Sequence, residues 1–271
     1  MEKLDLRILD KDPIRLFRCE YCGCQVPSYN QESTFCYFCE LNTSGMDEIL
    51  KKYPEFYTAI TSLTESMNAS KWEDADEAMR SLLQMRKSPE MSYTAGVFYK
   101  AYSDYMYGNR DYEYLGGYRE QNAKNINAGI TFFYTSKAFF YSAISQANKN
   151  LEADDKDPNM LFVKFMSELK LKRLSDARDT LQRLNQISGS VKSAYASMLY
   201  SSTMKDKRSS TFMKQLADIG MINSFYYFAK LLTQENRLLE AKSILIKMLT
   251  RVNMPAAKEL LDDINETFEI V

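Results

Sequence analysis

The chain concentrates its chemistry in one short stretch, Cys19 to Cys39, which reads CEYCGCQVPSYNQESTFCYFC. It holds two Cys-x-x-Cys pairs, Cys19/Cys22 and Cys36/Cys39, with thirteen residues between the inner cysteines. All five cysteines of the protein fall within it. Four thiolates at this spacing can close a tetrahedral site around one zinc ion, with Zn–S distances of about 2.3 Å. Four protein ligands leave no open position for a water, so the zinc expected here is structural. Gly23 follows the first pair, where a tight knuckle aims backbone N–H groups at the sulfurs and a residue without Cβ fits best.

Two other chemistries compete for the same cysteines. Paired disulfides suit a secreted mini-domain, but the chain opens Met-Glu-Lys-Leu-Asp, with no apolar signal stretch, and a cytoplasmic protein is expected. A redox dithiol also uses Cys-x-x-Cys, yet it expects a βαβ setting, and the chain beyond the cysteines has a helical pattern. Cys24 can replace Cys22 as a ligand, but Cys19-x-x-Cys22-Gly fits the knuckle better, which leaves Cys24 as a spare thiol. Elsewhere no catalytic constellation emerges. The chain has no histidine, which removes the commonest general base and every His metal ligand. It carries no Gly-rich phosphate loop, dinucleotide fingerprint or nucleophile motif, so neither an enzyme nor a small-molecule substrate is expected.

The elements that must position the cysteines are short. Residues 4–18 alternate loosely and are broken by Pro13, which predicts two strands joined by an Asp-Lys-Asp-Pro turn. Thr34 to Phe38 is the strand expected to carry the second knuckle, Asn42 to Gly45 a linker, and Ser44 or Asp47 the cap of the first helix. This arrangement resembles a zinc ribbon, an architecture with many functions, and assigns residues 1–45 to it. A unit this small needs its metal to fold.

From Met46 onward the periodicity is helical. With nine glycines and six prolines, the chain lacks the turn residues a sandwich or barrel needs, and no apolar run approaches a membrane span. One pattern recurs: Trp72-Glu-Asp-Ala75, Leu174-Ser-Asp-Ala177 and Leu238-Leu-Glu-Ala241, each with apolar residues four and seven positions beyond the alanine. The alanines lie 102 and 64 residues apart, close to three and two units of 34. These segments resemble the second helix of a tetratricopeptide repeat (TPR), with Phe225, Phe228, Ala229 and Leu232 matching the first helix of the last copy. Leu63 and Phe165 stand at the small position in other copies, and Pro89 and Pro255 sit where such a repeat turns to its successor. The resemblance implies a mostly α fold: a TPR-like α-solenoid of antiparallel helix pairs over 46–271, behind a small N-terminal β zinc ribbon. The pairs fall near 53–69/72–86, 91–107/126–150, 158–171/174–187, 190–204/208–218 and 222–235/238–251, with a last helix near 255–268. Asp157 and Asp206 read as N-caps, Pro158 as a first-turn residue, and Gly189 and Gly220 as helix ends. Ala177 is expected at a tight helix crossing, and Ala196 on a less crowded part of its helix.

Three features point to partners. The polar insert Asn109 to Asn125 carries Tyr112, Tyr114 and Tyr118 around Gly116-Gly117, as either a functional loop or a disordered excursion. Phe132-Phe133-Tyr134 and Phe139-Phe140-Tyr141 repeat seven residues apart, so the helix is either buried all round or shows one aromatic edge. Residues 164–214 hold eleven Lys/Arg against four acids, with Lys170, Lys172 and Arg173, and Lys205, Lys207 and Arg208, at helix-pair turns. Such clusters attract phosphate or acidic peptides, or simply solvate turns and complement helix dipoles. The ribbon, with five basic and seven acidic side chains, is no phosphate binder. The expected function is a non-enzymatic adaptor that binds a protein or peptide through the helical array. A nucleic-acid-associated factor using the 164–214 edge is the alternative.

Overall fold

The computed structural model describes residues 4–10, 14–28, 34–43, 47–108, 118–187 and 190–269. It is mostly helical, with twelve α-helices and one two-stranded antiparallel sheet among the described residues. Its contacts gather the chain into two compact units: Met1–Glu20, Cys24–Asp47 and Asn185–Val271 in one, Tyr21–Gly23 and Glu48–Leu184 in the other.

In the first unit, β1 (Arg15–Arg18) pairs with β2 (Gln25–Ser28) in the register Leu16↔Pro27 and Phe17↔Val26. The expected earlier strand is instead a 3-10 turn, Leu6–Asp10, with Leu9 fully buried. The expected strand at Thr34–Phe38 reduces to a single bridge, Phe35 to Asn42, because the chain must turn at once around Cys36. The helices of this unit are α8 (Val191–Thr203), α9 (Ser209–Asp218), α10 (Asn223–Gln234), α11 (Leu238–Leu249) and α12 (Pro255–Glu269). Each packs on its sequence neighbour. Phe225, Phe228, Ala229 and Leu232 make the buried face of α10, which packs on the face of α11 around Ala241 and Leu245. Ala196 is as fully buried as Ala177, so the less crowded position expected for it is not found. Asp206 does not cap α9. Its carboxylate accepts the Arg208 N–H in a turn one step upstream, and Arg208 stands at the N-cap.

The second unit holds α1 (Asp47–Lys52), α2 (Pro54–Asn68), α3 (Trp72–Met85), α4 (Pro89–Gly108), α5 (Tyr118–Ala153), α6 (Pro158–Lys170) and α7 (Leu174–Gln186). The Asp157 side chain accepts from the Asn159 and Met160 amides, and Pro158 follows as the first helical residue. α5 is longer than its apolar pattern suggested. It starts at Tyr118, inside the stretch expected to be a loop, while residues 44–46, 109–117 and 188–189, with the expected Ser44 cap and Gly189 stop, lie outside the described residues. Its aromatic residues divide by face: Phe140 is buried, Phe132, Phe133 and Phe139 are half-buried, and Tyr134 and Tyr141 are exposed. Tyr102 stacks on Phe132 at 4.0 Å and on Trp72 at 5.3 Å, which ties α5, α4 and α3 into one aromatic layer.

The repeat signal is clearest in the turns. After α2, α6, α8 and α10 the chain ends each helix in the same way, with Ser70, Lys172, Lys205 and Asn236 at φ values of 55°, 59°, 53° and 58°. At each, the amide of the left-handed residue bonds the carbonyl three back, and the next amide bonds the carbonyl five back, as in Lys172 to Leu169 and Arg173 to Glu168. This is the Schellman closure of a helix, which satisfies orphan carbonyls without any side chain. Gly220 closes α9 by the same pattern at φ 86°. Five residues after the left-handed position come Ala75, Ala177, Ser210 and Ala241, all buried.

Candidate metal centre

The two knuckles are built alike. Cys19 N–H bonds the Cys24 carbonyl at 2.9 Å, and Cys36 N–H bonds the Leu41 carbonyl at 3.0 Å, so each pair lies in a loop closed five residues on. The fourth residue after each first cysteine is left-handed: Gly23 at φ 74° and Glu40 at φ 58°. That backbone reversal brings both cysteines of a pair to one side. Phe38 N–H then points at Cys36 Sγ from 3.4 Å, the amide-to-sulfur contact that favours a thiolate.

The sulfurs of Cys19, Cys22, Cys36 and Cys39 all lie within 4.8 Å of one another, and all four residues are buried. Cys19 Sγ and Cys39 Sγ stand 3.6 Å apart. A tetrahedron with metal–sulfur distances of about 2.3 Å has edges of about 3.8 Å, so the spacing suits ligands around one ion. None of the five cysteines is in a disulfide. Cys24 is buried too, but it lies outside the four-sulfur group and contributes its carbonyl to the first knuckle. The donor set therefore fits a metal ion, held by thiolates and closed to solvent.

Each knuckle is seated on helix. Within the second unit, Thr64 Oγ1 of α2 donates to the Cys22 carbonyl at 3.1 Å, and the Arg86 guanidinium lies 4.7 Å above the Tyr21 ring. Gly23 is required twice over. Besides its positive φ, a Cβ there would fall 2.1 Å from Thr64 Oγ1 and 2.6 Å from the Ile60 carbonyl oxygen. Within the first unit, Phe35 stacks on Tyr195 of α8 at 4.3 Å, and Asn223 of α10 donates to the Phe35 carbonyl at 2.7 Å. Tyr195 donates to the Tyr227 hydroxyl at 2.9 Å, and Tyr227 donates to Glu40 Oε1 at 2.9 Å. Burial first, and the Glu40 carboxylate second, hold both phenols well above their ordinary pKa. Neighbouring Tyr226 is pushed up to about 12 by the same two causes. A cleft of about 260 Å³ opens beside this chain of hydroxyls, flanked by Lys205 and Lys230.

Glu40, Phe35, Tyr195, Asn223 and Tyr227 were not among the residues singled out from sequence. One signal was present: aligning the two Cys-x-x-Cys pairs places Glu40 opposite Gly23.

The basic residues singled out from sequence occupy turns. Lys170 ends α6, Lys172 is its left-handed cap, and Arg173 pairs with Asp176 at 2.7 Å. Lys205 caps α8, Lys207 follows, and Arg208 pairs with Asp206 at 2.6 Å. Tyr112 and Tyr114 lie outside the described residues, and Tyr118 opens α5 with its side chain likewise outside them. Among the described residues no helix is long and apolar enough to cross a membrane. No protein-family model matches the chain, and no curated protein or solved structure matches it either.

Proposed function

We propose that this protein is a non-enzymatic adaptor: a TPR-like array of helix pairs that binds a protein or peptide, with a zinc ribbon locked against it. The observation that carries the reading is the recurrence of one turn at Ser70, Lys172, Lys205 and Asn236, each followed five residues later by a buried small residue. Repeated helix pairs of this kind expose extended surfaces suited to extended partners. Zinc is the metal proposed, because a closed, buried, four-thiolate set suits its tetrahedral preference and its lack of redox chemistry. Such a site supplies folding free energy rather than catalysis.

The alternative, a phosphate-binding edge over 164–214, is less well supported. Arg173 and Arg208 each pair with a neighbouring carboxylate, Asp176 and Asp206, which offsets part of the charge of that edge. Recovery of the tagged protein from its native lysate, with and without nuclease, tests the reading. A protein retained in stoichiometric amount after nuclease treatment is expected. Loss of every partner with nuclease, or recovery of none, overturns the adaptor.

A further inference from the structure

From Gln121 to Leu151 the chain has no Asp or Glu, in a protein whose acids outnumber its bases. Within that stretch α5 turns one side to solvent, with exposed residues at 123/124, 127, 130/131, 134, 138, 141, 145 and 148/149. Every charge along this side up to Leu151 is positive, and exposed Glu152 follows on the same face at the end of α5. Lys124 and Lys149 are exposed, Lys137 is half-buried, and none of the three is in an ion pair among the described residues. Between the lysines stand two phenol rings, Tyr134 at 64% and Tyr141 at 53% exposure. Tyr141 makes no ring contact among the described residues, while Tyr134 has Phe133 edge-on at 5.7 Å and Lys137 at 5.8 Å.

We infer that this face of α5 binds single-stranded RNA. The helical rise puts the two rings about 10 Å apart and successive lysines about 18–20 Å apart along the axis, with Lys124 and Lys149 on one flank of the rings and Lys137 on the other. That is the pattern of a strand-tracking surface: cations for the phosphates and aromatic faces on which unpaired bases stack. An acidic peptide would satisfy the lysines but would leave the two exposed rings without a matching group. A duplex hides its base faces. Asn127, Ser145 and Asn148, exposed on the same side, offer the donors and acceptors that a ribose 2′-hydroxyl can use, which favours RNA over DNA. This inference is independent of the adaptor reading and assigns the strand to α5 rather than to the 164–214 turns.

The test is fluorescence anisotropy of the full-length, zinc-loaded protein with a labelled oligo(U) of about 20 nucleotides, long enough to span the three lysines. Three phosphate contacts to a single strand predict that a fourfold rise in salt weakens binding about twentyfold. The triple variant Lys124→Gln/Lys137→Gln/Lys149→Gln should abolish most of that salt dependence. Tyr134→Ser/Tyr141→Ser should weaken binding about tenfold or more while leaving the salt dependence in place. Tyr141→Ser alone, at a position with no ring contact to lose, should weaken it about fivefold. No binding by the parent protein overturns the inference. So does equal binding by the lysine variant, or a loss seen only with Lys172→Gln/Lys205→Gln. Competition by poly-glutamate as effective as by oligo(U), with no effect of the tyrosines, would make the partner an acidic peptide. Tighter binding to oligo(dT) would make it DNA. Either of these results also overturns it.

Discussion

Replacing Gly23 by alanine tests whether the first knuckle is held by its seat on α2 as well as by its metal. The substitution meets two separate penalties. A left-handed backbone at φ 74° brings a Cβ against its own carbonyl, at a cost of about 1–2 kcal/mol. The same Cβ falls 2.1 Å from Thr64 Oγ1 and 2.6 Å from the Ile60 carbonyl. The hydroxyl can rotate away, but a helix carbonyl cannot, so overpacking adds about 1–3 kcal/mol. The expected loss is therefore about 2–5 kcal/mol. Gly129 is the internal control: its Cβ would come no closer than 3.3 Å to the Tyr107 ring, and it carries no positive φ. Alanine there gains about 1 kcal/mol of helix propensity against that mild contact, so the change should stay within about 1 kcal/mol of zero. Urea unfolding of the zinc-loaded variants, followed by far-UV circular dichroism, gives both numbers. Thr64→Ala in the Gly23→Ala background should recover about 1 kcal/mol, because it relieves the closer contact and leaves the Ile60 carbonyl in place. If Gly23→Ala unfolds at the same urea concentration as Gly129→Ala, the knuckle is not seated on α2 as described.

Four further outcomes are expected. Metal analysis should find one zinc per chain in the parent and in Cys24→Ser, and none in Cys36→Ser; metal loss in Cys24→Ser, or iron in place of zinc, would refute the assignment. Ala177→Leu should cost about 1–3 kcal/mol in thermal melts, whereas Ala138→Leu, at an exposed position of α5, should cost almost nothing. Lys172→Gly should stabilise the protein by up to about 1 kcal/mol, since the residue sits left-handed in a turn that uses no side chain, and a loss instead would show that the lysine itself contributes. Glu168, buried against α7 and accepting the Thr180 hydroxyl at 2.7 Å, has its carboxyl pKa raised, chiefly by burial, with Lys164 and Thr180 opposing. Its folded state therefore holds a proton more tightly than the unfolded one. Its contribution is fully present below the unfolded value of 4.5 and is lost as pH rises through the raised folded value. Glu168→Gln keeps an acceptor for Thr180 and removes the titration, so melts of the variant should gain on the parent as pH is raised from about 4 to about 7. An unchanged difference would sink this account.

The features that were legible in the sequence are those in which a side chain performs the local task. Four sulfurs must be cysteine, so Cys19, Cys22, Cys36 and Cys39 announce themselves by spacing, and they converge within 4.8 Å. A crowded helix crossing favours a methyl group, so Ala75, Ala177 and Ala241 keep a readable period, and all three are fully buried. The backbone-determined features were hidden. The turn at Lys205 is the third of the four copies of the same closure, yet Ser210 stands where the other copies have alanine, and nothing in a Met-Lys-Asp-Lys string marks a left-handed residue. A Schellman turn is made of main-chain bonds, so its sequence can drift as long as the small penalty of a non-glycine residue is offset by packing elsewhere. Ala196 misled for a related reason: it follows no repeat pattern, and only the packing of α8 shows it to be fully buried.

Glu40 is the sharpest instance of this. It occupies the position that Gly23 holds in the first knuckle, and it accepts the same left-handed backbone with a side chain attached. What offsets the strain lies far along the chain, at Tyr227, whose hydroxyl donates to the Glu40 carboxylate and in turn accepts from Tyr195. A glycine at residue 40 would relax the turn and lose that anchor, whereas glutamate keeps the anchor at the cost of the strain. The choice of glutamate indicates that docking on α8 and α10, rather than ease of turning, governs the second knuckle. No local reading of the sequence can weigh those two terms, because one of them depends on a residue 187 positions away.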